Sequence, residues 1–225
     1  MIYIENKKRK LENIQKQYSG AEILDVTSAS TIKCTQMLSP FYPHGNIPVP
    51  FSYGIYASCV EAVWQGLKVF QNADIDIELF KNDTMKGLKR TVRRFGQPLG
   101  HRKGVYGTEL LNYFEARMFI YLPTYKWVLE NISAVNDIVF WISEFSKTHI
   151  VVLLDYNTNI DIYDLTQPIS HAGLVKLYIE GNYPSESMYF EHFSLEEQKI
   201  QIDTFKQNKK EQKKNIKKSE QLKLF

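Results

Sequence analysis

Apolar and polar positions alternate in ways that divide the chain into segments of different character. Residues 149–155 carry an unbroken apolar run, the pattern of a strand buried on both faces. A shorter strand is predicted over 21–26. The polar, lysine-rich residues 1–20 read as a short strand or helix packed at an edge. Helical spacing begins near Ser58. Val60, Val63, Leu67 and Phe70 fall on one side, and Glu61, Trp64, Gln65 and Lys68 on the other. Ser58 and Glu61 have the spacing of a capping box, which predicts a helix from there to about Phe70. Further helices are predicted over 85–95, capped by Thr84 and stopped by Gly96 and Pro98, and over 109–121 and 123–131, meeting at Pro123. Others are predicted over 134–145, capped by Ser133, and over 174–180, with a short extended piece at 160–163. No internal repeat is visible. The pattern predicts an α+β fold: a helix-rich single domain with a small sheet over 1–200, then a tail over 201–225.

Between the first strands and the first helix lies a segment of different kind. Residues 30–57 are rich in Pro, Gly, Ser and Tyr, and each Pro fixes φ and removes a donor. A long loop carrying aromatics is often functional. Here Phe41 and Tyr42 could roof the polar helix face that follows. A carboxylate (Glu61) beside an indole (Trp64), with Gln65 and Lys68 on the same face, would make a pocket for a planar base or a sugar.

Charge changes the picture further along. The net charge is +3, but residues 206–225 hold eight lysines and two glutamates, so the remaining body is at −3. Within that acidic body, Lys86, Lys89, Arg90, Arg93, Arg94, Arg102 and Lys103 occur with no acidic residue between Thr84 and Thr108. The first five fit one helical stripe, and His101 sits in a glycine-flanked loop with further donors. Such a block favours phosphate binding. Asp155, Asp161 and Asp164 follow the buried strand, with His171 beyond them. Acidic groups there are placed for a site at a strand's C-terminal end. The spacing of His, Cys and Asp gives no metal motif, and no cofactor is expected.

The tail is too charged to bury a core and is expected to be disordered or helical. It ends in Gln221, Leu222, Lys223, Leu224 and Phe225, which resembles the pentapeptide that binds the bacterial DNA sliding clamp. Leu224 and Phe225 would fill an apolar cleft, Gln221 would hydrogen-bond at its edge, and Leu222 is counted with them as partner-binding. Lys223 stands where that peptide usually has a small or acidic residue. The lysines would add salt-sensitive attraction to DNA without sequence preference.

Residues 39–94 resemble the NADAR family, also called the YbiA-like N-glycosidases. The likeness rests on Phe41, Tyr42 and Pro43, then Val60 and Glu61, Trp64 and Gln65, Lys68, and Lys89 with Arg90. It extends more thinly through Ala116, Arg117 and Met118 to His171 and Leu174. The family's downstream Trp-Gly is absent, since Ile162, Tyr163 and Asp164 stand there, and His171 replaces an Asn. The resemblance implies a hydrolase that cleaves an N-glycosidic bond in an ADP-ribose-like or modified nucleotide, such as ADP-ribosylated guanine in DNA. Glu61 is then the first catalytic candidate, with Asp161 and Asp155 behind it. Phe41, Tyr42, Trp64, Gln65, Lys68, Lys89, Arg90, Arg93, His101 and His171 would bind substrate. A different class, a non-enzymatic clamp-binding accessory or inhibitor on the same scaffold, fits the departures. Cys34 and Cys59 make no pairing motif, and no apolar run approaches the roughly 20 residues of a membrane span. The chain is therefore expected in the cytoplasm, acting in DNA repair or an allied process.

Overall fold

The computed structural model describes residues 1–192. The clamp-like peptide and the whole of the predicted tail lie outside the described residues. Residues Met1–Pro184 form one compact unit, and a second begins at Ser185, where one helix spans Glu186–His192.

In the first unit the chain runs β1 (Ile2–Asn6), α1 (Leu11–Gln17), β2 (Glu22–Asp25), α2 (Lys33–Gln36), β3 (Ile47–Pro48), β4 (Tyr56–Ala57), α3 (Val60–Gly66) and β5 (Lys68–Phe70). A 3₁₀ turn at Ile77–Lys81 leads to α4 (Val92–Phe95), β6 (Pro98–Arg102), β7 (Leu110–Leu111) and α5 (Tyr113–Ala116). A π-helical turn, Arg117–Tyr121, joins α5 to α6 (Leu122–Asn131), and α7 (Ser133–Ser146), β8 (Val151–Asp155) and α8 (His171–Ile179) complete it. The fold is α+β, with three small sheets rather than one.

The strand expected from the apolar run is the centre of the sheet that matters most. Strands β1 and β2 flank β8, both parallel to it, with Ile4 and Leu24 each opposite Leu153. Val151, Val152 and Leu153 are fully buried, as an unbroken apolar strand requires. Because all three strands run the same way, the segments leaving β2 and β8 emerge at one edge. That edge is where parallel sheets bind ligands.

Helix α3 departs from its predicted bounds. Cys59, not Ser58, is the N-cap, its sulfur accepting from the Ala62 amide at 3.3 Å. Ser58 instead donates its hydroxyl to the Asn82 carbonyl. The helix stops at Gly66 because the chain turns there against the 3₁₀ segment. A Cβ on Gly66 would stand 2.3 Å from the Phe80 ring. Lys68 therefore reaches the site from strand β5. Ala62 and Val63 enter a core shared with Leu67, Phe80, Leu111 and Ile120. The opposite face is not solvated either, since Glu61 and Gln65 are both buried.

Four other expectations are corrected. The helix over 85–95 shrinks to the single turn of α4, because Met85 and Gly87 take positive φ of 58° and 68° and the chain turns there. The basic residues thus form no helical stripe. Residues 109–121 do not begin as a helix: Leu110–Leu111 is a strand, and the helix starts after Asn112 and runs on through the π turn without a break at Pro123. Residues 160–163 form no strand, with a turn at 162–163, and Ile132 rather than Ser133 stands at the N-cap of α7.

Candidate active site

Glu61 sits in the first turn of α3, where its backbone amide donates to the Pro40 carbonyl at 2.9 Å. This bond docks the proline-rich loop on the helix and brings Phe41 over it. The carboxylate is only 8% exposed. Its Oε1 accepts from Gln65 Nε2 at 2.9 Å. Gln65 is itself fixed, because its Oε1 accepts from the Arg90 amide at 3.2 Å. The amide orientation is thus set from both ends, and Oε2 of Glu61 is left for the cavity. Burial pushes the Glu61 carboxyl up, partly offset by the Gln65 hydrogen bond and by the ammonium groups of Lys89 and Lys68.

Glu61 lines a cavity of about 430 Å³, within the size range of small-molecule sites. Around it stand Phe41, Trp64, Gln65, Lys68 and Lys89 on one side, and Thr27, Ser28, Asp155, Tyr156, Asn157 and His171 at the parallel-sheet edge. The Trp64 indole is held in place by His101, whose ring centroid lies 3.8 Å away, and by the edges of Tyr113 and Tyr121 at 5.8 and 5.6 Å. Lys89 Nζ lies 5.7 Å from the Phe41 ring centroid and Lys68 Nζ 5.6 Å from that of Phe70. Among the described residues neither ammonium is paired with a carboxylate, so both charges remain available to an anionic ligand.

At the other wall Asp155 ends β8 and is occupied by protein donors. Its Oδ1 accepts from the Tyr156 amide at 2.7 Å. Its Oδ2 accepts from Ser170 Oγ at 2.8 Å, from the Ala172 amide at 3.4 Å and from His171 Nδ1 at 2.9 Å. His171 Nε2 donates to the Val26 carbonyl at 2.8 Å. An imidazole that donates from both nitrogens is protonated. Burial pulls the His171 value down, but the Asp155 carboxylate more than offsets it, and the net direction is up. Burial pushes the Asp155 value up, and His171, Ser170 and the Tyr156 amide bring it below the usual carboxylate range. The pair anchors the start of α8 to the end of β8. It supplies shape and a neutral ion pair rather than a free nucleophile.

The remaining predicted site residues lie outside the cavity lining. Asp161 is exposed and accepts from the Tyr163 amide at 2.9 Å, capping its own turn. Arg93 is exposed on α4. Arg90 turns inward: its guanidinium donates to the carbonyls of Lys68 and Asp74 and lies 4.9 Å from each of the Phe70 and Phe95 ring centroids. It braces the floor behind Gln65. Tyr42 packs on His44, 4.9 Å between centroids. His101 is on strand β6 and 1% exposed, behind Trp64. Burial lowers its value to about 3, so it is a neutral ring.

Sequence reasoning passed over Tyr113, Arg117 and Tyr121, which also line the cavity. The signal was present. Asn112 and Glu115 form a full capping box, with bonds of 2.9 and 2.7 Å. The three residues follow at intervals of four, which in a regular α-helix drift by about 40° per step. The wider π turn removes part of that drift and holds all three toward the cavity. π turns often mark functional sites.

Residues 6–175 match the model of a family of unknown function, DUF6939. The chain belongs to this family. Every residue lining the cavity falls inside the span that DUF6939 covers. No curated protein matches the chain. Among the described residues, no three His, Cys, Asp or Glu side chains are grouped to hold a metal ion, and no helix is long and apolar enough to cross a membrane.

Proposed function

We propose that this DUF6939 protein is an N-glycosyl hydrolase of the NADAR type, acting on an ADP-ribose-like or modified nucleotide such as ADP-ribosylated guanine in DNA. The observation that carries the reading is the state of Glu61. It is a buried carboxylate, locked through one oxygen by Gln65 and open to the cavity through the other. Breaking a C1′–N bond builds positive charge on the sugar, which a nearby carboxylate stabilises. The same carboxylate can take a proton from water as its oxygen bonds to C1′. The bond's electron pair leaves with the base nitrogen, which then collects that proton. Glu61 ends as it began. Trp64, Tyr113 and Phe41 offer ring faces and edges for a base, and Lys68 and Lys89 offer charge for phosphate.

The test is release of ADP-ribose from an oligonucleotide bearing ADP-ribosylated guanine, which leaves the guanine in the strand, followed chromatographically alongside a titration of added ADP-ribose. The reading expects ADP-ribose release with turnover. Tight binding of ADP-ribose with no release would instead mark a binding module, and neither binding nor release would sink the substrate class.

We further propose, from the terminal peptide alone, that the tail tethers this activity to the DNA sliding clamp. Tethering raises local concentration, so a weak peptide suffices. Deleting residues 221–225 should abolish capture of the purified clamp while leaving ADP-ribose release from short oligonucleotides unchanged. Capture that survives the deletion refutes the tether.

A further inference from the structure

The π turn carries an arginine whose surroundings are unusual. Arg117 is 1% exposed, yet its guanidinium meets carbonyls rather than a carboxylate. Nη1 donates to the carbonyls of Ile162 and Asp164 at 2.8 and 2.9 Å. Nη2 donates to the Gln167 carbonyl at 2.7 Å and to the Tyr113 hydroxyl at 3.4 Å. These four bonds use the four N–H groups of the two terminal nitrogens. Although Arg117 lines the cavity, those groups have nothing left to give a ligand.

The three carbonyls belong to one loop, the segment 156–169 between β8 and α8. Its ends are close, with the Ser170 hydroxyl on Asp155 and the Ser170 amide donating to the Asn159 carbonyl at 2.8 Å. Inside, side chains fold back on the backbone. Asn157, Asn159 and Asp161 each accept from the amide two residues on, at 2.7, 2.9 and 2.9 Å. These local bonds shape the loop but do not attach it to the helix opposite. Arg117 does that. Meanwhile Tyr156, Asn157, Pro168 and Ile169 from the same loop form a wall of the cavity.

We infer that Arg117 is a positioning residue: it staples the 156–169 loop in place, and through that loop sets the shape of the ligand site. The inference rests on the nucleotide site proposed above. A lysine keeps the charge but cannot fan four N–H groups across three carbonyls. Arg117→Lys therefore separates the effect of charge from the effect of geometry.

The experiment is amide hydrogen exchange on the full chain, free of ligand, combined with titration of ADP-ribose by calorimetry. In Arg117→Met the amides of 157–167 should exchange at least tenfold faster while those of β8 and α7 keep their protection, and ADP-ribose should bind at least tenfold more weakly. Arg117→Lys should fall between the wild type and Arg117→Met in both measurements. If Arg117→Met does not fold, Arg117→Lys alone decides, since it retains charge and stem. A loop that stays protected in both variants overturns the staple. So does an Arg117→Lys protein that binds ADP-ribose as tightly as wild type while its loop exchanges fast, because charge alone would then be what matters. Should the wild type bind no ADP-ribose, the substrate reading fails, and the exchange result by itself still decides whether Arg117 holds the loop.

Discussion

Replacing Glu61 by glutamine should lower ADP-ribose release from ADP-ribosylated guanine by roughly 10²- to 10⁴-fold, the usual worth of a positioned acid–base group. The fold should survive. Glutamine has the same shape, and its carbonyl oxygen can still accept from Gln65 Nε2 as Glu61 Oε1 does. Relative to wild type, the variant should even gain stability as pH rises. A carboxyl whose value is raised on folding binds its proton more tightly in the folded state. It therefore costs stability as pH climbs past the unfolded value through the folded one. Glutamine removes that cost. Initial rates and thermal melts on the same preparations decide the matter. A Glu61→Gln protein within tenfold of wild-type activity would remove Glu61 from the chemistry.

Asp155→Ala should cost about 3–5 kcal/mol of folding stability, the range for breaking one partner of a buried ion pair. The substitution strands a buried imidazolium and leaves Ser170 Oγ and the Ala172 amide without their acceptor. The effect depends on pH in a defined direction. The value of His171 is raised on folding, so its contribution is complete below the unfolded imidazole value and lost as pH rises through the folded one. That of Asp155 is lowered, so its contribution is complete above the unfolded carboxyl value and lost as pH falls through the folded one. Both are present between roughly pH 4 and 6.5. Urea unfolding at pH 5.5 and at pH 9 should therefore show a larger gap between wild type and variant at the lower pH. A gap below about 1 kcal/mol at pH 5.5 would mean the pair is not the anchor described here.

Much of this site could be read from residue spacing because its first element is local. Glu61, Trp64 and Gln65 share one short helix, and the interval between them predicts a common face wherever that helix packs. The buried strand at 149–155 was legible for the same reason, since an unbroken apolar run has few other uses. What spacing cannot give is where a chain turns. Lys68 reaches the cavity although α3 has already ended at Gly66, whose missing Cβ lets Phe80 come close. The block from Lys86 to Arg94 has helical spacing, yet Met85 and Gly87 adopt positive φ, and the five cations scatter. Arg90 then becomes a brace, Arg93 a surface group, and only Lys89 among them meets the cavity. Asp161 was attractive as a carboxylate after a strand, but an Asp two residues before a free amide tends to cap its own turn. Arg117 was hidden for a deeper reason. Its partners are backbone carbonyls, which carry no sequence signature, and they lie 45 to 50 residues away.

The ionisation of the Glu61 carboxylate is the central claim, and the pH dependence of kcat/KM for ADP-ribose release reads it most directly. It predicts an acid limb governed by a single group that titrates above the usual glutamate range, absent from whatever residual activity Glu61→Gln retains. A rate that is flat from pH 4 to 7, or an acid limb that persists unchanged in Glu61→Gln, would contradict it.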